Sequence, residues 1–225
     1  YCLYDKKNGY YMTKDPFGVN GDFTTSPNIS RLFSEMMAIW TISFWKSLGS
    51  PKKFNLIELG GGNGEMMRIM IESFKKFPYF LKCCNIIIYE KSPALIEKQK
   101  LNINFKNITW KKNFLKINKL PSIFLANEFF DAIPIKQFFK NSNNWYEKLV
   151  QKENNKKFNF TKKKIDILKL EKKLKFKISY KQNFIEYSPL GFKYLKNISN
   201  TIKKNKGGLL IIDYGYNTKK INNTL

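Results

Sequence analysis

Histidine is absent from all 225 residues. Within this chain no imidazole can serve as a general base or a metal ligand. Cysteine is scarce: Cys2, Cys83 and Cys84 are the whole supply. An odd count with two neighbours adjacent makes no disulfide framework, and without a CxxC spacing there is no zinc signature. A reducing compartment is the expectation. No apolar run is long enough to span a bilayer, so no membrane insertion is expected. Acids are few, 17 against 41 lysines and arginines, for a net charge of +24. That balance invites a nucleic-acid reading, yet there is no RNP-like aromatic motif, zinc finger or helix-turn-helix. Lysine, asparagine, isoleucine and phenylalanine are over-used everywhere, as an AT-rich coding sequence would produce. Compositional bias is favoured over a dedicated nucleic-acid face, the alternative the charge leaves open, and no specific nucleic acid is expected. Acidic partners and salt-sensitive contacts remain favoured. The chain opens on Tyr1 and ends in a short polar tail, so it is read as a fragment whose targeting segment would be invisible.

What is present reads as alternating strand and helix. "TTSPNISRLFSEMMAIWTISFWKSLGSP" predicts one long helix, with Ser26 as cap, Pro27 in the first turn and Gly49 and Pro51 closing it. Ile29, Leu32, Phe33, Met36, Met37, Trp40, Phe44, Trp45 and Leu48 would form its wide buried face. Strands follow at Phe54–Leu59, Asn85–Glu90, "NITW" and Ser122–Asn127, with helices at Gly64–Lys75 and Ser92–Lys100 between them. Their apolar runs lack alternation, as expected for strands buried on both faces of a parallel sheet. "NWYEKLVQKENNKKFNFT" predicts a hairpin turning at Glu153–Asn155, and Ile165–Lys181 is ambiguous. A helix near Leu190–Lys204 and a fifth buried strand, "GGLLIIDYG", complete the pattern. The predicted fold class is α/β, a doubly wound, mostly parallel, Rossmann-like sheet. Residues 1–50 would be an N-terminal helical extension. Residues 51–225 would be the main domain, with an insertion at about 141–182 and its C-terminal part outside the chain.

The glycine cluster in "NLIELGGGNGE" is the chemical signal. The dinucleotide fingerprint fails, because the sixth position is Glu65 or Met67 depending on the frame, and no Walker lysine follows. The pattern that fits is E-x-G-x-G-x-G: Glu58, Gly60, Gly62 and Gly64. It is the first motif of class I S-adenosylmethionine-dependent methyltransferases, which the chain resembles at this point. The glycines would let the backbone pass beneath the methionine end of the cofactor, and helix-start N–H groups suit its carboxylate. Glu58 would attract its ammonium. A glycine-rich structural turn is the other reading. Glu90, at the end of the next strand, is placed to accept ribose hydroxyls, as an acid does in dinucleotide folds. Asn113 and Phe114 follow the third strand, where such enzymes read adenine; Asn113 could equally be a turn residue. Asn127 ends the fourth strand beside the cofactor.

Seven stretches occur in one order: "GYYMTKDPFGVNGDFTTSPNISRLFSE", "ELGGGNGEMMRIM", "YEKSPALIEKQ", "LANEFFDAIPIKQF", "WYEKLV", "IEYSP" and "GGLLIIDYGY". Together they resemble the MidA family, the bacterial and mitochondrial relatives of the respiratory complex I assembly methyltransferase. The resemblance implies S-adenosyl-L-methionine as cofactor and methylation of an arginine on a complex I core subunit during assembly. It implies a bacterial cytoplasmic or mitochondrial matrix location. A non-catalytic assembly factor on the same fold, or a methyltransferase for another substrate, is the alternative. The family's turn carries proline where this chain has Gly61, and the family continues past Leu225.

A guanidinium acceptor is planar and charged, so its pocket needs carboxylates. In a chain so poor in acids, their placement is informative. Glu128 and Asp131 are the expected arginine-binding groups, with Asp22 and Thr24 in a covering loop. Asp131 could instead be the N-terminal acid of a helix over Ala132–Phe139, and Asp22 a turn residue. Asp213 and Tyr214 would line the acceptor side. The sequence does not specify an oligomeric state.

Overall fold

The computed structural model describes residues 2–13, 16–17, 21–113, 118–153, 157–178 and 180–215. Phe114 lies outside the described residues. The described chain divides into two units, one of Tyr1–Ala132 with Tyr194–Tyr214, the other built on Ile133–Lys193.

The first unit begins with three helices, α1 (Tyr10–Thr13), α2 (Ser26–Ile29) and α3 (Arg31–Ser47). The predicted long helix is thus broken. Ser30 is extended, with φ −141° and ψ 121°. The break lets α2 hold Asn28 against the Asn63 amide at 2.8 Å. Arg31, at the start of α3, reaches Glu72 at 2.7 Å. Tertiary partners override local helix propensity at this point. The buried face is also narrower than expected. Ser34, Ala38, Thr41, Ile42 and Trp45 are buried, whereas Ile29, Leu32 and Met36 are exposed. Phe33, Met37, Trp40, Phe44 and Leu48 are half-buried against the core.

The alternating region follows as β1 (Phe54–Leu59), α4 (Glu65–Phe74), α5 (Pro78–Cys83), β2 (Cys84–Tyr89), α6 (Pro93–Asn102), β3 (Ile108–Lys111) and β4 (Ser122–Asn127). The short helix α5 is not anticipated by the sequence pattern. It packs Phe80 against Phe54, Phe74 and Trp45, with ring centroids 4.7–5.3 Å apart. Fully burying such a ring contributes roughly 1.5–3 kcal/mol.

In the second unit β5 (Lys136–Asn141), β6 (Asn144–Lys152), β7 (Phe158–Ile165), α7 (Ile167–Leu174) and β8 (Phe184–Tyr187) form an antiparallel sheet ordered β7-β6-β5-β8. The predicted hairpin is β6 and β7. The helix considered over Ala132–Phe139 is absent: Lys136–Asn141 is a strand, paired antiparallel with β6 on one side and β8 on the other. Phe138, Trp145, Ile185 and Tyr187 make a small core under Ile167, Leu170 and Leu174 of α7.

Helix α8 (Pro189–Asn205) leads to β9 (Gly207–Ile212), which completes a parallel sheet ordered β3-β2-β1-β4-β9. Strand β1 is buried at all six positions. Strand β9 is an edge in this sheet and is only half-buried, with Ile211 44% exposed. The strand order reverses between β1 and β4, and ligands in such sheets bind outside the carboxyl ends at that point.

Candidate functional site

Leu59 pairs with Tyr89 in register, so β1 and β2 end together. The chain then leaves β1 through Gly60, whose N–H donates to the Tyr89 carbonyl at 2.9 Å. The turn closes with the Gly64 N–H donating to the Gly61 carbonyl at 2.8 Å, and Gly64, at φ +87°, caps α4. The four glycines face different neighbours. A Cβ on Gly60 would meet the Phe129 ring at 2.9 Å. One on Gly61 would meet Ile88 and Gln99 at 2.8 and 2.9 Å, and one on Gly64 the Gln99 backbone at 3.2 Å. Gly62 is the least crowded of the four: a Cβ there would rest in ordinary contact on the Phe17 ring at 3.8 Å, but its φ of +52° disfavours a side chain.

Glu58 is buried at 2% exposure, one residue before the end of β1. Its Oε2 has no hydrogen-bond partner among the described residues. Burial, then the charge of Glu90, pushes its carboxyl up to about 8. Glu90 is 8% exposed directly after β2. Its Oε1 accepts from the Lys91 and Ser92 N–H groups at 2.7 and 2.9 Å. Burial raises its pKa and these bonds oppose the rise. Asn127 ends β4, and its buried Oδ1 is also without a partner among the described residues. Buried acceptors are normally paired. Two unpaired ones, among the described residues, fit a ligand that carries donors or positive charge. Asn113 is exposed beyond β3.

A second group of acids follows β4. Glu128 sits at φ +47°, held by its N–H on the Ile212 carbonyl at 2.8 Å. The next two N–H groups, of Phe130 and Asp131, both donate to Asp213 Oδ2, at 3.1 and 3.2 Å. The Tyr214 hydroxyl reaches Glu128 Oε2 at 3.4 Å. Glu128, Asp131, Asp213 and Tyr214 are therefore brought together. Partial burial and then the charge of Asp213 raise the Asp131 pKa. Asp22 is exposed and accepts the Tyr10 hydroxyl, which pushes that phenol up to about 12. Thr24 is exposed. Tyr4 and Tyr11 stack at 5.6 Å, and Tyr11 stacks on Phe17 at 6.2 Å. The charge of Asp131 contributes to the raised pKa of both tyrosines, after burial in each case.

Sequence reasoning missed four side chains that shape this site. Phe129 lies over Gly60, and the hydroxyls of Tyr89 and Tyr194 share a 2.7 Å hydrogen bond beside it. Gln99 is fully buried on α6 and touches both the turn and Glu90. Its signal was legible: a polar residue at helical spacing with the buried Leu95 and Ile96.

Residues 36–225 match the family model described as "Putative S-adenosyl-L-methionine-dependent methyltransferase". The protein named "Protein arginine methyltransferase NDUFAF7, mitochondrial" from Bos taurus is 30% identical over 255 residues, 97% of this chain and 55% of that protein. Its Xenopus laevis counterpart is 29% identical over 94% of this chain and 54% of its own length. The chain thus spans about half the length of these relatives. A COG1565 superfamily member from Burkholderia thailandensis, crystallised with S-adenosyl-homocysteine, superposes with a TM-score of 0.70 at 18% identity, covering 87% of this chain and 52% of that one. The likeness in that case is one of fold.

Proposed function

From the premise that the chain belongs to this S-adenosyl-L-methionine-dependent methyltransferase family, we propose that it is the cofactor-binding part of a protein-arginine N-methyltransferase. The observation that carries the reading is the buried Glu58 just before the glycine turn, whose Oε2 has no partner among the described residues and which lies near enough to Glu90 for their charges to interact. When bound, S-adenosyl-L-methionine supplies a sulfonium methyl group that a nucleophilic nitrogen can accept. Glu58 attracts the cofactor's ammonium, Glu90 receives its sugar hydroxyls, and Gly60, Gly62 and Gly64 keep side chains out of its path. Asn113, Phe114 and Asn127 complete its surroundings. The names of the curated relatives, arginine methyltransferases, support an arginine acceptor.

Glu128 and Asp131 bind the guanidinium as a charge-assisted pair and turn one nitrogen toward the methyl donor. Asp213 acts by holding the backbone of Phe130 and Asp131, and Asp22 and Thr24 contribute from the loop that covers the site. With no histidine in the chain, these residues work by orientation and charge. Following the MidA resemblance, the substrate is a core subunit of respiratory complex I during its assembly. The compartment is the mitochondrial matrix in a eukaryotic host, as the relatives' names suggest, or the cytoplasm in a bacterial one.

Calorimetry of the full-length protein with S-adenosyl-L-methionine tests the cofactor, with binding expected. No heat of binding would favour a non-catalytic assembly factor. Mass spectrometry of the complex I subunit after gene deletion tests the acceptor. Loss of an arginine methyl mark is expected, and an unchanged mark would point to another substrate.

A further inference from the structure

Three separate elements meet at the Gln99 side chain. Its Nε2 donates to the Gly62 carbonyl at 2.9 Å and lies 3.4 Å from Glu90 Oε2. Its Oε1 accepts from the Trp110 indole N–H at 2.9 Å. An indole nitrogen can only donate, so the amide has a single orientation. One face of the amide is thereby committed to β3, and the other to the glycine turn and the acid after β2. Gln99 is 0% exposed, so none of these contacts is exchanged with water. The turn is built to admit it: the Cβ that Gly61 lacks would stand 2.9 Å from Gln99 Nε2. One helical turn along α6, Asn102 Nδ2 donates to the next carbonyl, Asn63, at 2.8 Å, but from an exposed position. The two side chains clamp successive carbonyls of the turn, and the buried one alone also reaches Glu90.

We propose that Gln99 is a positioning residue that sets the glycine turn and Glu90 at one separation, and that cofactor affinity depends on it. This rests on the methyltransferase reading given above. Glu90 Oε1 is already occupied by two backbone N–H groups. Its Oε2 is the oxygen left for a ligand, and the Gln99 amide is what holds that oxygen in place. The same amide pins the Gly62 carbonyl and so fixes the backbone of the turn.

The test is calorimetry with S-adenosylhomocysteine on the full-length protein, comparing wild type with Gln99→Leu, Gln99→Glu and Asn102→Ala. Removing a hydrogen bond to a buried charge is expected to weaken binding roughly tenfold or more in Gln99→Leu. Asn102→Ala should stay within about threefold of wild type, because its group is solvated. Gln99→Glu should bind worst at pH 8, where two carboxylates face each other. It should regain affinity relative to wild type toward pH 5, where a protonated Glu can donate again. A purely structural role would lower the melting temperature of Gln99→Leu and leave the affinity of the folded protein unchanged, which overturns the proposal. Should Gln99→Leu not fold, Gly61→Ala replaces it. Its methyl group displaces the Gln99 amide, so weakened binding supports the proposal and unchanged binding overturns it. A wild type that takes up no S-adenosylhomocysteine removes the methyltransferase reading and this one together. A wild type that binds, with Gln99→Leu binding equally, removes only this one.

Discussion

Glu58 and Glu90 are 2% and 8% exposed, whereas Asp131 is exposed and Glu128 half-buried. The first pair belongs to the strands themselves: Glu58 is inside β1, and Glu90 follows β2 without a gap. The second pair stands on a turn after β4, whose backbone N–H groups donate to the Ile212 carbonyl and the Asp213 carboxylate. Desolvation dominates the first pair and leaves Glu58 largely protonated near neutral pH. The second pair keeps contact with solvent. On the proposed reading, the contrast separates a site for the cofactor from a rim for the acceptor protein.

Substitutions can break that contrast, and Gly62→Val carries the largest expected effect. It forces a β-branched residue to φ +52° and adds bulk to the least crowded glycine of the turn. Titration with S-adenosylhomocysteine should then give no binding heat, and retained affinity would refute the placement. Next is Glu128→Gln with Asp131→Asn in the full-length enzyme. Methyl transfer to an arginine peptide should fall at least about tenfold, from the loss of charge-assisted bonds. Cofactor affinity should not change; a parallel loss of both would merge the two regions into one.

Glu58→Gln is expected to act in opposite directions on binding and stability. Cofactor affinity should drop several-fold, because a bound ammonium favours the ionised form of Glu58 and glutamine cannot supply that charge. Stability should rise at alkaline pH, for a reason that follows from linkage. The folded-state pKa of about 8 lies above the ordinary 4.5. The favourable contribution of the neutral acid is therefore complete below 4.5 and is lost as pH climbs to 8. Thermal melts of the ligand-free variant at pH 8.5 should exceed wild type by roughly 2–4 °C for each kcal/mol relieved. A wild-type curve flat between pH 5 and 8 would contradict the buried, uncharged Glu58.

The smallest effect is expected in the second sheet. Lys162 lies directly opposite Lys148 across β6 and β7. Lys162→Ser should raise stability by about 0.2–0.5 kcal/mol through relief of like-charge repulsion, with cofactor affinity unchanged. Denaturant melts and calorimetry would detect any departure.

Much of the fold was legible because its strands are short apolar runs bounded by turn residues. Phe54–Leu59 and Ser122–Asn127 are read residue for residue, and Ser92 caps α6 as its position suggests, accepting from the Leu95 N–H at 3.3 Å. The glycine turn and Glu90 were legible because backbone close approach and strand ends leave local signatures. The break at Ser30, the helix α5, and strands β5 and β8 were not, since each depends on partners far along the chain.

The sequence by itself determined the alternation of strand and helix, the glycine turn and the acid after β2, because periodicity, glycine and capping act within a few residues. Only the tertiary structure decided that Gly62 faces Phe17 while Gly61 faces Gln99, that Glu58 Oε2 has no partner among the described residues, and that Asp213 holds the backbone of Asp131. Those are distances between segments tens of residues apart, and packing sets them, because a side chain's burial and partners exist only once the strands have paired.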